Sequence, residues 1–471
     1  MTAEKPPEIG GIGHLGREYL AGRLRQQSLQ GEFRPSRRGD VPEVASLEPG
    51  HRRALAAAAL AALRRGEVAY GILAAGASTR MDLSQVPASA RTLLERSGRP
   101  QPKSKALVPV VEIDGRVFSF LDLFFHDVAR FSAETRTANP VLLFTSEANR
   151  DEILSFLESA RWLGVERGRV LDFQQTLDDQ IVATAEDVER TRENFGSDAD
   201  VASALALSRA FAGHNLHVPK PAGHGEFLHQ LVSSGTLVRL LARGVRYVSV
   251  RNIDNTGALL DQAWLEIFGV MLEADRRFLV EVSRRPDGPA GKGGALIARP
   301  KGELQLAEDP SFAGTGVDPR DSYYINNAVA ILHVDYLFRI YETSEDELAR
   351  AGAEELAEIA ERGRRKFPPL IDVKPVRLGS GAVAGAFVRE TNLWESTGVE
   401  PGLGVGAIGV LSVKDVEDGF ERLPPAEQRE RAIRVRFVAT KKWEDYEGVN
   451  ARLVPHVARR VLEGPLVDPS P

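Results

Sequence analysis

Cysteine is absent from all 471 residues, and this removes disulfides, thiolate metal sites and cysteine nucleophiles together. The absence fits a reducing compartment, and the cytoplasm is the expected location. Long apolar runs are missing too: the longest stretch of small apolar residues, Ala54 to Leu63, is too short to span a membrane and reads as the middle of a helix. Charge of one sign is not in excess either. The formal net charge of -6 is mild, so no polyanionic partner such as nucleic acid is expected, although a local basic pocket for phosphates remains compatible with it. The first residues are acidic and proline-bearing instead of basic and then apolar, so no secretory signal is expected. Disorder is not expected: 43% apolar and 27% charged residues are the composition of a soluble globular chain, here long enough for two or three domains.

Three common motifs fail as well. Gly71 to Gly76 has the spacing of a P-loop, but Ala77 stands where its lysine belongs. Gly11, Gly13 and Gly16 form a literal GxGxxG, yet the ten residues before it, MTAEKPPEIG, hold two prolines and three charges in place of the strand that a dinucleotide fingerprint requires. His214, His217, His224 and His229 lie close together, but no spacing among them matches HExxH and no cysteine assists them.

What is present is organised around Val68 to Met81, VAYGILAAGASTRM. A short apolar run reads as a strand covered on both faces, and Ala74 to Ser78 then leave little side-chain bulk, so backbone N–H groups can approach an anion. Thr79 and Arg80 add a hydroxyl and a guanidinium, a combination suited to a triphosphate. From Val68 onward strands alternate with helices, which predicts an α/β domain with a largely parallel sheet and a ligand site at the carboxyl ends of its strands. The expected organisation is a helical segment over 1–66, a catalytic domain over 67–380 and a small C-terminal region over 381–471 that completes the site with a lysine. Helices are expected at Leu15 to Leu24, His51 to Arg65 and Glu226 to Arg243, among others.

Polar groups gather in four further stretches. QPKSKALVPV sets Lys103 and Lys105 before a strand, and Gly223, His224 and Gly225 make a tight turn before a helix. Asn252, Asp254 and Asn255 follow the apolar run Tyr247 to Val250, where an aspartate facing a phosphate turn is a natural Mg²⁺ ligand. RVRFVATKKWEDY places Lys441 and Lys442 after another strand.

In order and spacing, LAAG-x-STRM, PKS, FLDL, FQQ, GHGE, NIDN, KGGALI, INN and RFVATKKWEDY resemble the UTP-glucose-1-phosphate uridylyltransferase family over about Val68 to Tyr446. The resemblance implies a glycosyltransferase-A-like mixed, mostly parallel sheet flanked by helices. It also implies formation of a UDP-sugar and pyrophosphate from UTP and a sugar 1-phosphate with Mg²⁺. It puts Leu73, Ala75, Gly76 and neighbouring backbone at the nucleotide, Arg80, Lys103 and Lys441 at the phosphates, and Gln175, Gly223, His224 and Gly225 around the uracil. Asn252, Asp254 and Asn326 fall at the sugar phosphate, with Asp254 also the metal ligand. The chain departs from the family at Ala75 and Ser78, where glycines are usual, and at Tyr324 and Ile325, which border the sugar. With 25 residues after Tyr446, the C-terminal β-helix of eukaryotic members is not expected. The implied partners are UTP and glucose 1-phosphate, with N-acetylglucosamine 1-phosphate or a broader set as the alternative. No nucleic acid or membrane partner is expected, and the oligomeric state is open, a monomer included. A sugar-nucleotide-binding regulator is the reading from another class.

Overall fold

The strand Val68–Leu73 is buried along its whole length. It pairs in parallel with Val141–Ser146 on one side and with Tyr247–Asn252 on the other, and Val170–Gln175 extends the parallel set beyond Val141–Ser146. These four runs are apolar without alternation because helices cover both faces of the sheet. This is a computed structural model, which describes residues 8–24, 26–76, 81, 83, 86–285, 293–399, 402 and 404–467. Among them the large sheet has ten strands. All run in one direction except Arg34–Pro35, Leu304–Ala307 and Tyr324–His333. The expected mixed, mostly parallel α/β architecture is what the chain adopts.

Two apolar cores sit on the two faces of that sheet. One gathers Phe120, Phe125, Phe131, Trp264 and Phe268 under helices Phe120–Thr135 and Gln262–Glu273; the other gathers Phe144, Phe227, Leu337 and Tyr341. Each such side chain contributes roughly 1.5–3 kcal/mol by leaving water. Helix Phe120–Thr135 starts at a capping box in which Ser119 and Asp122 satisfy each other's backbone N–H groups. The helix expected over Glu226 to Arg243 is instead two, Glu226–Ser233 and Thr236–Leu241, because Gly235 turns left-handed at φ +68 between them.

The N-terminal segment is only partly helical. His14–Leu20 and Pro49–Arg64 form helices, but the chain between them is mostly irregular, with one short 3-10 turn at Val44–Ser46, and adds Arg34–Pro35 to the strand Ala295–Ala298. Its prolines and glycines deny it the helical hydrogen bonds that the flanks make. Helix Pro49–Arg64 lies against Gln262–Glu273 so closely that a Cβ on Gly269 would collide with the backbone of Leu55.

A second, antiparallel sheet has the order Leu370–Arg377, Val383–Glu390, Leu177–Val182, Asn215–Pro221. The strands on either side of residue 380 therefore pair with each other, and Val405–Gly409 joins the large sheet beside Phe278–Arg284. Among the described residues no helix is long and apolar enough to cross a membrane.

Candidate active site

The carboxyl ends of the parallel strands converge on the small-residue turn. Ala74 and Ala75 are buried and Gly76 is exposed. Asn149 fixes this turn from the next strand–helix connection: its Nδ2 donates to the carbonyl of Ala74 at 2.8 Å and to Ser104 Oγ at 3.4 Å, while its Oδ1 accepts from the N–H of Ser146. The PKS stretch is thereby tied to the small-residue turn. Arg80 lies outside the described residues.

Ser104 caps a short turn of helix, Lys105–Leu107, and so aims Lys105 inward. Its Nζ donates to Asp254 Oδ2 at 2.7 Å, and both side chains are largely buried. Lys103 lies differently: it is exposed, and its backbone N–H is held by Glu152 at 2.8 Å. Asp254 follows Asn252, which ends its strand in register with Leu73. The turn Asp254–Gly257 is in turn laced to the C-terminal chain. Thr440 donates its N–H to the carbonyl of Asp254 at 3.1 Å, Thr256 to that of Val438 at 3.0 Å, and Asn255 Oδ1 accepts from the N–H of Val438 at 2.9 Å. Lys441 comes next, half-buried, its Nζ 5.7 Å from the ring centre of Phe437 and its backbone N–H on Asp445. Asp254 is thus held by the Lys105 side chain and by the backbone of Thr440, the residue before Lys441.

Gln175 and the GHG turn meet further along. Gln175 donates through Nε2 to the carbonyl of Gly223. Gly223 has φ +102, and a Cβ there would run into the backbone of Thr391, so only glycine fits. His224 Nδ1 accepts the N–H of Leu393 at 3.2 Å, which leaves the proton of the neutral ring on Nε2. Behind the turn, buried Glu226 accepts from Thr176 and Arg364, both at 2.8 Å; burial raises its pKa against the pull of Arg364.

Asn326 lies on the antiparallel strand Tyr324–His333, beyond the last rung Val329↔Arg251, and so at the same end of the sheet as Asp254. Its Oδ1 accepts the N–H of Ala328, a residue at φ +56 where the strand bulges. Its backbone N–H bonds Gly294, against which the carboxylate of Glu308 packs.

The chain is similar to known proteins in sequence and in fold. The model of the family described as UTP–glucose-1-phosphate uridylyltransferase matches residues 200–322, the segment holding the GHG turn, Asn252 and Asp254. A UTP–glucose-1-phosphate uridylyltransferase of Solanum tuberosum is 27% identical over 239 residues, 48% of this chain and 43% of the relative. Over residues 200–322 the chain is similar to the UTP–glucose-1-phosphate uridylyltransferase family. A probable uridylyltransferase of Schizosaccharomyces pombe is 39% identical over 77 residues, 16% of this chain and 14% of the relative, so the matches span less than half the length of these curated relatives. Among solved structures, a UDP-glucose phosphorylase of Trypanosoma brucei shares the fold at TM-score 0.56 and 18% identity, covering 92% of this chain and 73% of that one. A uridine diphosphate N-acetylglucosamine pyrophosphorylase of the same organism does so at TM-score 0.56 and 15% identity, covering 96% and 88%.

The structure brings together Leu73, Ala75, Gly76, Asn252 and Asp254, with the backbone of Thr440, next to Lys441, bonded to Asp254 and with Asn326 at the same end of the sheet. A second group joins Gln175, Gly223, His224 and Gly225. Sequence reasoning passed over Lys105 in favour of Lys103. The signal that separates them is Ser104, whose capping hydroxyl begins the turn that carries Lys105 inward.

Proposed function

We propose that the chain transfers the uridylyl group of UTP to glucose 1-phosphate, releasing pyrophosphate. The observation that carries this reading is the meeting of Lys105, Asp254 and the Lys441 strap at the strand ends beside the phosphate turn. A phosphate oxygen of the sugar phosphate attacks the α-phosphorus of UTP, the new P–O bond forms, and the bond to the β-phosphate oxygen breaks. The nucleophile is already ionised, so no general base is needed. The barrier is repulsion between anions and their in-line alignment, which fixed cations and turn amides lower. Lys105 and Lys441 supply charge from two sides, the backbone of Ala75 and Gly76 lines the triphosphate, and Arg80 and Lys103 add positive charge at its rim. Gln175 and the GHG turn offer donors and acceptors to the uracil, while Asn252 and Asn326 face the sugar phosphate.

Mg²⁺ fits the donor set. Among the described residues no group of three or more His, Asp or Glu side chains gathers, and Asp254 supplies one hard carboxylate next to the phosphates. Mg²⁺ sites commonly use one or two carboxylates and complete themselves with phosphate oxygens and water. Bound there, the cation would screen the triphosphate charge; the ammonium of Lys105 would move from Asp254 to the phosphates.

Pyrophosphate release with UTP and a panel of sugar 1-phosphates tests the reading. Glucose 1-phosphate should turn over fastest, and UTP should exceed ATP. Background turnover with glucose 1-phosphate beside rapid turnover of N-acetylglucosamine 1-phosphate would move the chain to the second substrate. Comparable use of ATP would remove the uracil role from Gln175.

A further inference from the structure

Behind the Asp254 turn lies a row of buried charges paired with one another. Arg436, only 4% exposed, lays its guanidinium along Glu281, Nε to Oε2 at 2.9 Å and Nη2 to Oε1 at 2.8 Å. Its Nη1 donates to Asp261 Oδ1 at 3.0 Å and to the carbonyl of Leu259 at 3.1 Å. Arg460, from helix Val449–Glu463, closes on the second oxygen of Asp261 at 3.0 Å. Glu281 sits on the sheet strand Phe278–Arg284, whereas Leu259 and Asp261 end the loop that begins at Asp254. One guanidinium therefore joins the sheet, the Asp254 loop and the chain that leads to Lys441.

For stability alone such a network has little to recommend it, since well-packed apolar side chains commonly do as well as a buried ion pair. Register is another matter. From Arg436 the chain runs alongside the Asp254 turn, bonded at Val438 and Thr440, and reaches Lys441 one residue later. A one-residue slip would turn the lysine to the opposite face, and a two-residue slip would carry it about 7 Å along the strand. We propose that Arg436 is a positioning residue that sets the register of the Asp254 turn against the strap, so that Asp254 and Lys441 reach the same phosphates. This rests on the uridylyl-transfer reading of that pair.

Arg436→Lys keeps a charge and loses the fork. Its kcat for pyrophosphate release from UTP and glucose 1-phosphate should fall on the order of 10²-fold, the scale of a misplacement near 1 Å. KM for UTP should change less than about threefold, because the uracil contacts are untouched. In a Lys441→Ala background the same substitution should lower kcat by less than about threefold more, since the group it places is gone. Asn255→Ala cuts only the side-chain bonds to the strap and turn and leaves the buried charges paired. It should repeat the pattern in milder form, and it decides alone if Arg436→Lys does not fold. Wild-type kcat in both variants, or losses that multiply in full with that of Lys441→Ala, would overturn the inference. A wild type that releases no pyrophosphate with any sugar 1-phosphate overturns the uridylyl-transfer reading and this inference with it, whereas an active wild type with unaffected variants overturns the inference alone.

Discussion

Lys103 and Lys105 differ by two positions and face different surroundings, one exposed and the other paired with a largely buried carboxylate. Lys105→Ala should therefore lower kcat on the order of 10²-fold or more in the proposed reaction, as removal of a preorganised donor does, while Lys103→Ala should cost less than about threefold. Steady-state pyrophosphate release separates the two, and equal losses would give Lys103 the same weight at the phosphates as Lys105. A second residue makes a prediction about acid. His229 is fully buried in helix Glu226–Ser233, its Nδ1 bonded to Tyr341 Oη at 2.6 Å, and burial, with help from the charge of Arg364, pushes its pKa down to about 3. The folded form keeps the ring neutral where the unfolded chain would already take the proton. The stability this gives is present above about pH 6.5 and lost as pH falls toward 3. His229→Gln should flatten the fall of the melting temperature between pH 6.5 and 4, although at pH 7 it melts lower because it fills less of the site. An unchanged slope would place the acid sensitivity in other groups.

Elements position these residues, and the GHG turn shows how tightly. Gly223 and Gly225 both lie against Thr391, and Gly223 alone of the pair is left-handed. Gly223→Ala adds both backbone strain, on the order of 1–3 kcal/mol, and a collision. Calorimetric titration with UTP should show weaker binding, with helix content retained by circular dichroism; unaltered affinity would move the uracil elsewhere. Much of this was legible in the sequence. The run Val68–Leu73 could be read because burial on both faces demands an unbroken apolar strand, and the place of Asp254 just past a strand end because the apolar run Tyr247 to Val250 precedes it. The antiparallel sheet was not legible as a unit, since its strands come from the widely separated stretches 177–182, 215–221, 370–377 and 383–390. The choice between two nearby lysines was also hidden, because it turns on a capping hydroxyl and a side-chain direction.

At the scale of the whole molecule, the C-terminal chain is part of the body and not an appendage. Arg436 finds Glu281 and Asp261 at sequence distances of 155 and 175 residues, contacts that no local pattern announces. Helix Val449–Glu463 adds Val454, Ala458 and neighbouring side chains to the core beneath Phe120–Thr135, and Tyr446 donates through Oη to the carbonyl of Pro109 at 2.8 Å. Ending the chain after Pro424 would remove all of these at once. It would leave Glu281 and Asp261 buried without their arginines, and an uncompensated buried charge costs about 3–5 kcal/mol. Domains have only about 5–15 kcal/mol of net stability, so two such charges and the lost apolar burial exceed what the remainder can absorb. The truncated protein should lack a cooperative thermal transition and be digested by a trace of protease under conditions that leave the full chain intact. A truncated form that melted cooperatively near the full-length temperature would make the C-terminal chain an independent unit, and Lys441 would then reach the site by docking instead of by shared folding.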